Sequence, residues 1–128
     1  DHWTMKLLNS LYTIVSDVRG EGKHDFLISL DKNHFIYQAH FPGEPITPGV
    51  CIMQIAKELL EVSTDLKLNL TSVKNIKFLR IISPAEITRI TYSLGKIARE
   101  EDSVKVQVTV VDGDDVYAKL SLVCQIAG

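Results

Sequence analysis

The chain has 128 residues, 45% apolar and 23% charged, with a formal net charge of −2. That length suits one domain with its own core, read here as residues 1–128. The charge argues against general nucleic-acid binding, which leans on a basic surface. No apolar run reaches the ~18 residues that a membrane-spanning helix needs. Met5-Lys6-Leu7-Leu8 is too short an apolar stretch for a signal peptide. Asp1–Thr4 reads as an artificial remnant or the end of a longer natural start. Cys51 and Cys124 form neither a disulfide framework nor a metal-binding spacing. Both lie in apolar patterns, so buried free thiols and a reducing, cytoplasmic setting are expected.

In chain order, Leu7 to Val18 begins weakly periodic and turns β-like at Tyr12-Thr13-Ile14-Val15. Gly20-Glu21-Gly22-Lys23 is a turn, and His24 to Leu30 then places Phe26, Ile28 and Leu30 on one strand face. Asp31-Lys32-Asn33 turns again, and His34 to Ala39 leads into a Pro/Gly-rich loop. Past a helix that breaks at Ser63-Thr64-Asp65, Leu66 to Leu70 has no clear period. Thr71 to Ile82 predicts a strand with Ile76 and Phe78 facing inward. Ser83-Pro84-Ala85-Glu86 is a loop. Ile87 to Ile97 reads as a strand with Ile90, Tyr92 and Leu94 on one face. Val104, Val106, Val108 and Val110 alternate with polar residues in the cleanest strand of the chain. Asp112-Gly113 marks a hairpin, and Val116 to Ile126 alternates down a last strand. The pattern is α+β: five or six mostly antiparallel strands, the last three a meander, around one long helix.

The stretch from His40 to Glu61 organises the rest. Pro42, Pro45 and Pro48 restrict the loop, and Gly43 and Gly49 permit close approach or unusual backbone geometry. Pro48 and Gly49 suit a helix entry. Val50, Cys51, Ile52, Met53, Ile55 and Ala56 then surround one polar residue, Gln54, which predicts a buried helix. Its free N-terminal N–H groups can bind a carbonyl or an anion. Lys57, Glu58 and Glu61 are expected to be its solvated end.

His40-Phe41-Pro42-Gly43-x-Pro45-Ile46-x-Pro48-Gly49-Val50 resembles the signature of the FabA/FabZ-type 3-hydroxyacyl-acyl-carrier-protein dehydratases. Lys77-Phe78-Leu79-Arg80 with Pro84-Ala85-Glu86 resembles a second segment of that family, with Ile81, Ile82, Ala85 and Glu86 as departures. The resemblance spans about Tyr12 to Ala127. It implies a hotdog fold, a curved sheet wrapped around a central helix. It also implies a homodimer or trimer of dimers, with an acyl carrier protein or coenzyme A thioester as substrate. By the same resemblance, His40 acts on the proton α to the thioester carbonyl, and Gly49 or Val50 N–H polarises that carbonyl. Phe41 walls the acyl tunnel or the interface, and Phe41, Pro48, Gly49 and Val50 are the substrate-binding candidates. The chemistry needs these parts, because a developing enolate requires preorganised donors and a leaving hydroxide requires an acid.

The family places a carboxylate fourteen residues after the histidine, on the partner subunit's helix; here that position is Gln54. An amide can hold a hydroxyl or a water but cannot act as a general acid. Glu58 lies one turn further on, so the candidate catalytic set is His40, Gln54 and Glu58, the last as a replacement proton source. No cofactor or metal is expected, since no ligand cluster is visible. The expected activity is reversible dehydration of 3-hydroxyacyl thioesters in fatty acid or related lipid or polyene synthesis. The alternatives are a catalytically impaired subunit, which binds acyl chains or forms a hetero-oligomer with an active homologue, and an acyl thioesterase. His24 and His34 read as surface residues beside turns, Arg80 as a structural ion pair, and Lys96, Arg99 and Lys105 as scattered surface charge.

Overall fold

Alternation at the C-terminal end of the chain builds the wall on which everything else rests. In the computed structural model, residues 6–39 and 43–127 are described. Six strands form one sheet: β1 (Tyr12–Gly20), β2 (Lys23–Leu30), β3 (Leu68–Phe78), β4 (Arg89–Arg99), β5 (Ser103–Asp112) and β6 (Asp115–Ile126). Two helices join them, α1 (Phe35–Ala39) and α2 (Gly49–Thr64). The spatial order is β1-β2-β4-β5-β6-β3, with every pairing antiparallel. The β4-β5-β6 meander is as expected from its sequence. Strand β3 instead crosses to the far edge and pairs with β6.

The period of two decides which face is dry. Phe26, Ile28, Leu30, Ile90, Tyr92, Leu94, Val104 to Val110 at every second residue, Ala118, Leu120, Leu122 and Cys124 are all buried on one face. Against them lies α2, through Cys51, Ile52, Ile55, Ala56, Leu59 and Leu60, the i, i+3, i+4 spacing of a single stripe. The all-round burial expected of the helix start is therefore corrected. A sheet covers one side only, and Val50 remains 63% exposed. Helix α2 ends on Asp65 in the left-handed region (φ 56), whose N–H donates to the Glu61 carbonyl at 2.8 Å.

Three further expectations are corrected. Ile76 and Phe78 do not face inward: they are exposed because β3 is an edge strand, with register slips between Leu70 and Ser72 and between Lys74 and Lys77, and Asn75 at φ 55. His24 and His34 are buried, not on the surface. The His24 imidazole, 1% exposed, stacks on Phe26 and bridges Ser63 Oγ (2.8 Å) and Asp17 Oδ2 (2.6 Å), tying α2 to β1 and β2. The His34 ring contacts Ser10 Oγ and accepts the Ile36 N–H, which seats the one-turn helix α1. Cys51 and Cys124 are buried free thiols, and burial pushes Cys124 up to about 11. None of the described helices is long and apolar enough to cross a membrane.

Candidate functional site

The approach to α2 is held by its neighbours. Thr47 is buried; its N–H donates to the Ile82 carbonyl at 2.8 Å, and its hydroxyl lies 2.9 Å from Tyr37 Oη. Burial pushes the Tyr37 phenol up to about 12, so it stays a neutral hydrogen-bonding group. Pro48 follows at φ −62, ψ 148, an extended residue that caps the helix without a side-chain bond. Its carbonyl accepts Cys51 N–H (2.9 Å) and Ile52 N–H (3.1 Å). The N–H groups of Gly49 and Val50 have no acceptor among the described residues. They point out of the start of a sixteen-residue helix, where the peptide dipoles favour a partly negative oxygen.

Gly49 allows the Phe78 ring to approach closely here. A Cβ at this position would lie 2.9 Å from Cζ of the Phe78 ring. Gly49 and Phe78 share an apolar cavity of about 310 Å³, lined also by Ile46, Ile52, Leu79 and Ile82. Arg80, at its rim, makes an exposed ion pair with Asp115 (3.4 Å), as expected from the sequence. His40 and Phe41, the two motif residues of greatest chemical interest, lie outside the described residues.

Gln54 and Glu58 share a different face of α2. Glu58 is 4% exposed, so its reading as a solvated helix end is corrected. Its Oε1 accepts Leu8 N–H (2.8 Å) and Tyr12 O–H (3.0 Å). Its Oε2 accepts Leu7 N–H (2.8 Å) and Gln54 Nε2–H (2.7 Å). Four donors use the carboxylate's four acceptor positions. Desolvation, with the Glu58 charge beside it, pushes the Tyr12 phenol far above its ordinary value, so Tyr12 stays a donor. The N-terminal segment is thus strapped to the central helix by a side chain fifty residues away in sequence. No sequence signal marks this, because the two backbone donors carry no side-chain identity.

Gln54 and Glu58 open onto a groove of about 810 Å³ with Lys6, Leu8, Lys57 and Glu61 on its walls. It is separate from the cavity at Gly49. Lys57 pairs with Glu61 (3.2 Å), and Glu61 Oε2 accepts the Leu68 N–H (2.8 Å). Among the described residues no cluster of three His, Cys, Asp or Glu side chains could hold a metal ion.

Comparison with known proteins places this geometry. A family model described as ApeI-like, ApeI dehydratase, matches residues 16–120. A 3-hydroxyacyl-acyl-carrier-protein dehydratase FabZ of Clostridium acetobutylicum is 32% identical over 72 residues, 51% of each chain. The FabZ of Latilactobacillus sakei is 29% identical over 89 residues, 64% of this chain and 63% of its own. The matched stretches span about half to two thirds of these relatives' length. The dehydratase heterocomplex ApeI:P from Xenorhabdus doucetiae superimposes with a TM-score of 0.69 at 12% identity, covering 88% of this chain and 96% of that one. At that identity the likeness establishes the hotdog fold. A match over residues 16–120 extends well beyond the His40–Val50 motif, and on it the chain belongs to the ApeI-like dehydratase family, among the FabA/FabZ-type proteins that the motif resembles.

Proposed function

We propose that this chain binds acyl thioesters and dehydrates 3-hydroxyacyl-acyl-carrier-protein reversibly to the trans-2-enoyl thioester, in fatty acid or related lipid synthesis. The observation that carries this is the uncapped start of α2. Two N–H groups, on Gly49 and Val50, stand at the helix start, beside an apolar cavity that Gly49 and Phe78 line. A thioester carbonyl set there gains hydrogen bonds that strengthen as the enolate forms. His40 takes the α-proton, and Gln54 holds the β-hydroxyl. The proton that turns the departing hydroxide into water comes from a solvent molecule. Glu58 is the poorer source, since both its oxygens are occupied and protonation would displace one of its four donors.

A second subunit completes the site in this reading. Val50, Phe78, Leu79 and Ile81 are exposed apolar side chains around the cavity and the β3 edge, a surface that suits burial against another hotdog chain. Gln54, on a different face from Gly49, would then serve the neighbouring subunit's histidine. Replacement of the acid favours one further reading, a subunit paired with an active homologue; the heterocomplex of the ApeI:P relative is its precedent.

Hydration of a short enoyl-acyl carrier protein, followed as loss of the conjugated thioester's absorbance, tests both. Wild-type activity abolished by His40→Ala supports the dehydratase. A silent wild type that gains activity with Gln54→Glu supports the partner-subunit reading. Wild-type activity unchanged by His40→Ala refutes the proposed chemistry.

A further inference from the structure

Resting on the thioester reading above, we infer that Glu58 is a positioning residue that locks the Gln54 amide in one orientation, making the chain selective for acyl chains that carry a hydroxyl donor. An amide can present either an acceptor oxygen or a donor nitrogen to a ligand, and rotation about its last bond exchanges them. An ionised carboxylate only accepts. The 2.7 Å contact with Glu58 Oε2 therefore has a single workable form, Nε2–H donating, because the flipped amide would set oxygen against oxygen.

The carboxylate cannot turn away to suit another arrangement. Oε2 also holds Leu7 N–H, and Oε1 holds Leu8 N–H and Tyr12 O–H. Three donors from a separate segment fix the plane of Glu58, and Glu58 fixes the amide one helical turn before it. Gln54 Oε1 is left with no donor among the described residues, on the wall of the groove shared with Leu8 and Lys57. The side chain in the family's acid position thus presents a fixed acceptor oxygen, with one Nε2–H committed to Glu58 and the second left over. It receives a hydroxyl on the acyl chain and offers nothing to a saturated or enoyl chain.

The test uses two unreactive amide analogues of a short acyl-pantetheine, one with a 3-hydroxyl and one without, titrated calorimetrically. Wild type should prefer the hydroxylated analogue roughly 3- to 10-fold, the equivalent of one net hydrogen bond. Gln54→Leu and Glu58→Gln should bind both nearly equally. Tyr12→Phe removes one bond from Oε1 but leaves the Oε2 contact, so it should keep the preference. In the wild type one Gln54 Nε2 proton should resonate downfield and exchange slowly, a measurement independent of how any variant folds.

A folded Glu58→Gln that retains the preference overturns the inference, as does a Gln54 amide with random-coil shifts. Wild type that binds both analogues equally also overturns it, while leaving thioester binding intact. Failure of both analogues to bind would overturn the thioester reading itself, and this inference with it.

Discussion

Glu58→Ala is the most informative single change in the fold, because its cost can be worked from four bonds. The substitution removes the acceptor of Leu7 N–H and Tyr12 O–H, both on residues that are buried, and of Leu8 N–H and the Gln54 amide, both on partly exposed ones. A buried donor left unpaired costs about 1–3 kcal/mol. The two buried donors together thus cost about 2–6 kcal/mol, and the other two recover water. Against a usual stability of about 5–15 kcal/mol, that is a large fraction. Urea unfolding should show a lower midpoint. Amide exchange at Leu7 and Leu8 should quicken by more than the global loss explains, since the segment that carries them loses its strap. Tyr12→Phe supplies the internal control. In the wild-type background it removes a satisfied bond, at about 0.5–1.5 kcal/mol. In Glu58→Ala it removes an orphaned donor and should be neutral or stabilising. A Glu58→Ala variant within about 0.5 kcal/mol of wild type, or strict additivity of the two changes, would refute the four-donor account.

Gly49→Ala places a methyl 2.9 Å from the Phe78 ring, which is half exposed and can swing aside into the cavity. Thioester binding should therefore weaken at least about fivefold while the melting temperature shifts little; a large loss of stability with binding intact would contradict this. Gln54→Glu sets a second carboxylate where a 2.7 Å hydrogen bond now stands. It should destabilise the chain by on the order of 3 kcal/mol at pH 7.5, and by less at pH 5, since a proton shared between two adjoining carboxylates relieves their repulsion; equal urea midpoint losses at both pH values would count against it. Burial raises Cys124 from 9.0 to about 11 and Tyr37 from 10.0 to about 12, so the neutral forms are those the fold favours. Their contribution is fully present below pH ~9 and is lost as pH rises toward ~12; a urea midpoint that holds or climbs between pH 8 and pH 11 would show the sign to be wrong.

Much of the architecture is legible in the chain itself. Valine at every second position from Val104 to Val110 can only be half-buried strand, and the Asp112-Gly113 hairpin and the final alternation complete a meander. The proline-spaced loop opens a helix at Gly49, as read from the sequence. Its motif carries the family, and the match over residues 16–120 bears that out. These are local properties, written in side-chain period and backbone restriction, and they survive without knowledge of neighbours.

The polar interior is decided only by the tertiary structure. His24 and His34 sit beside turns, where solvent is the natural expectation, yet Ser63 and Asp17 meet one and Ser10 meets the other. Glu58 looks like any charge near a helix end until Leu7, Leu8 and Tyr12 are folded onto it. Phe78 alternates like a core residue but lies on an edge strand, because β3 crosses to the far side of β6. Period identifies which face of an element is apolar. Whether a carboxylate meets water or four donors depends on which distant backbone groups arrive beside it, and those groups are common to every residue type but proline.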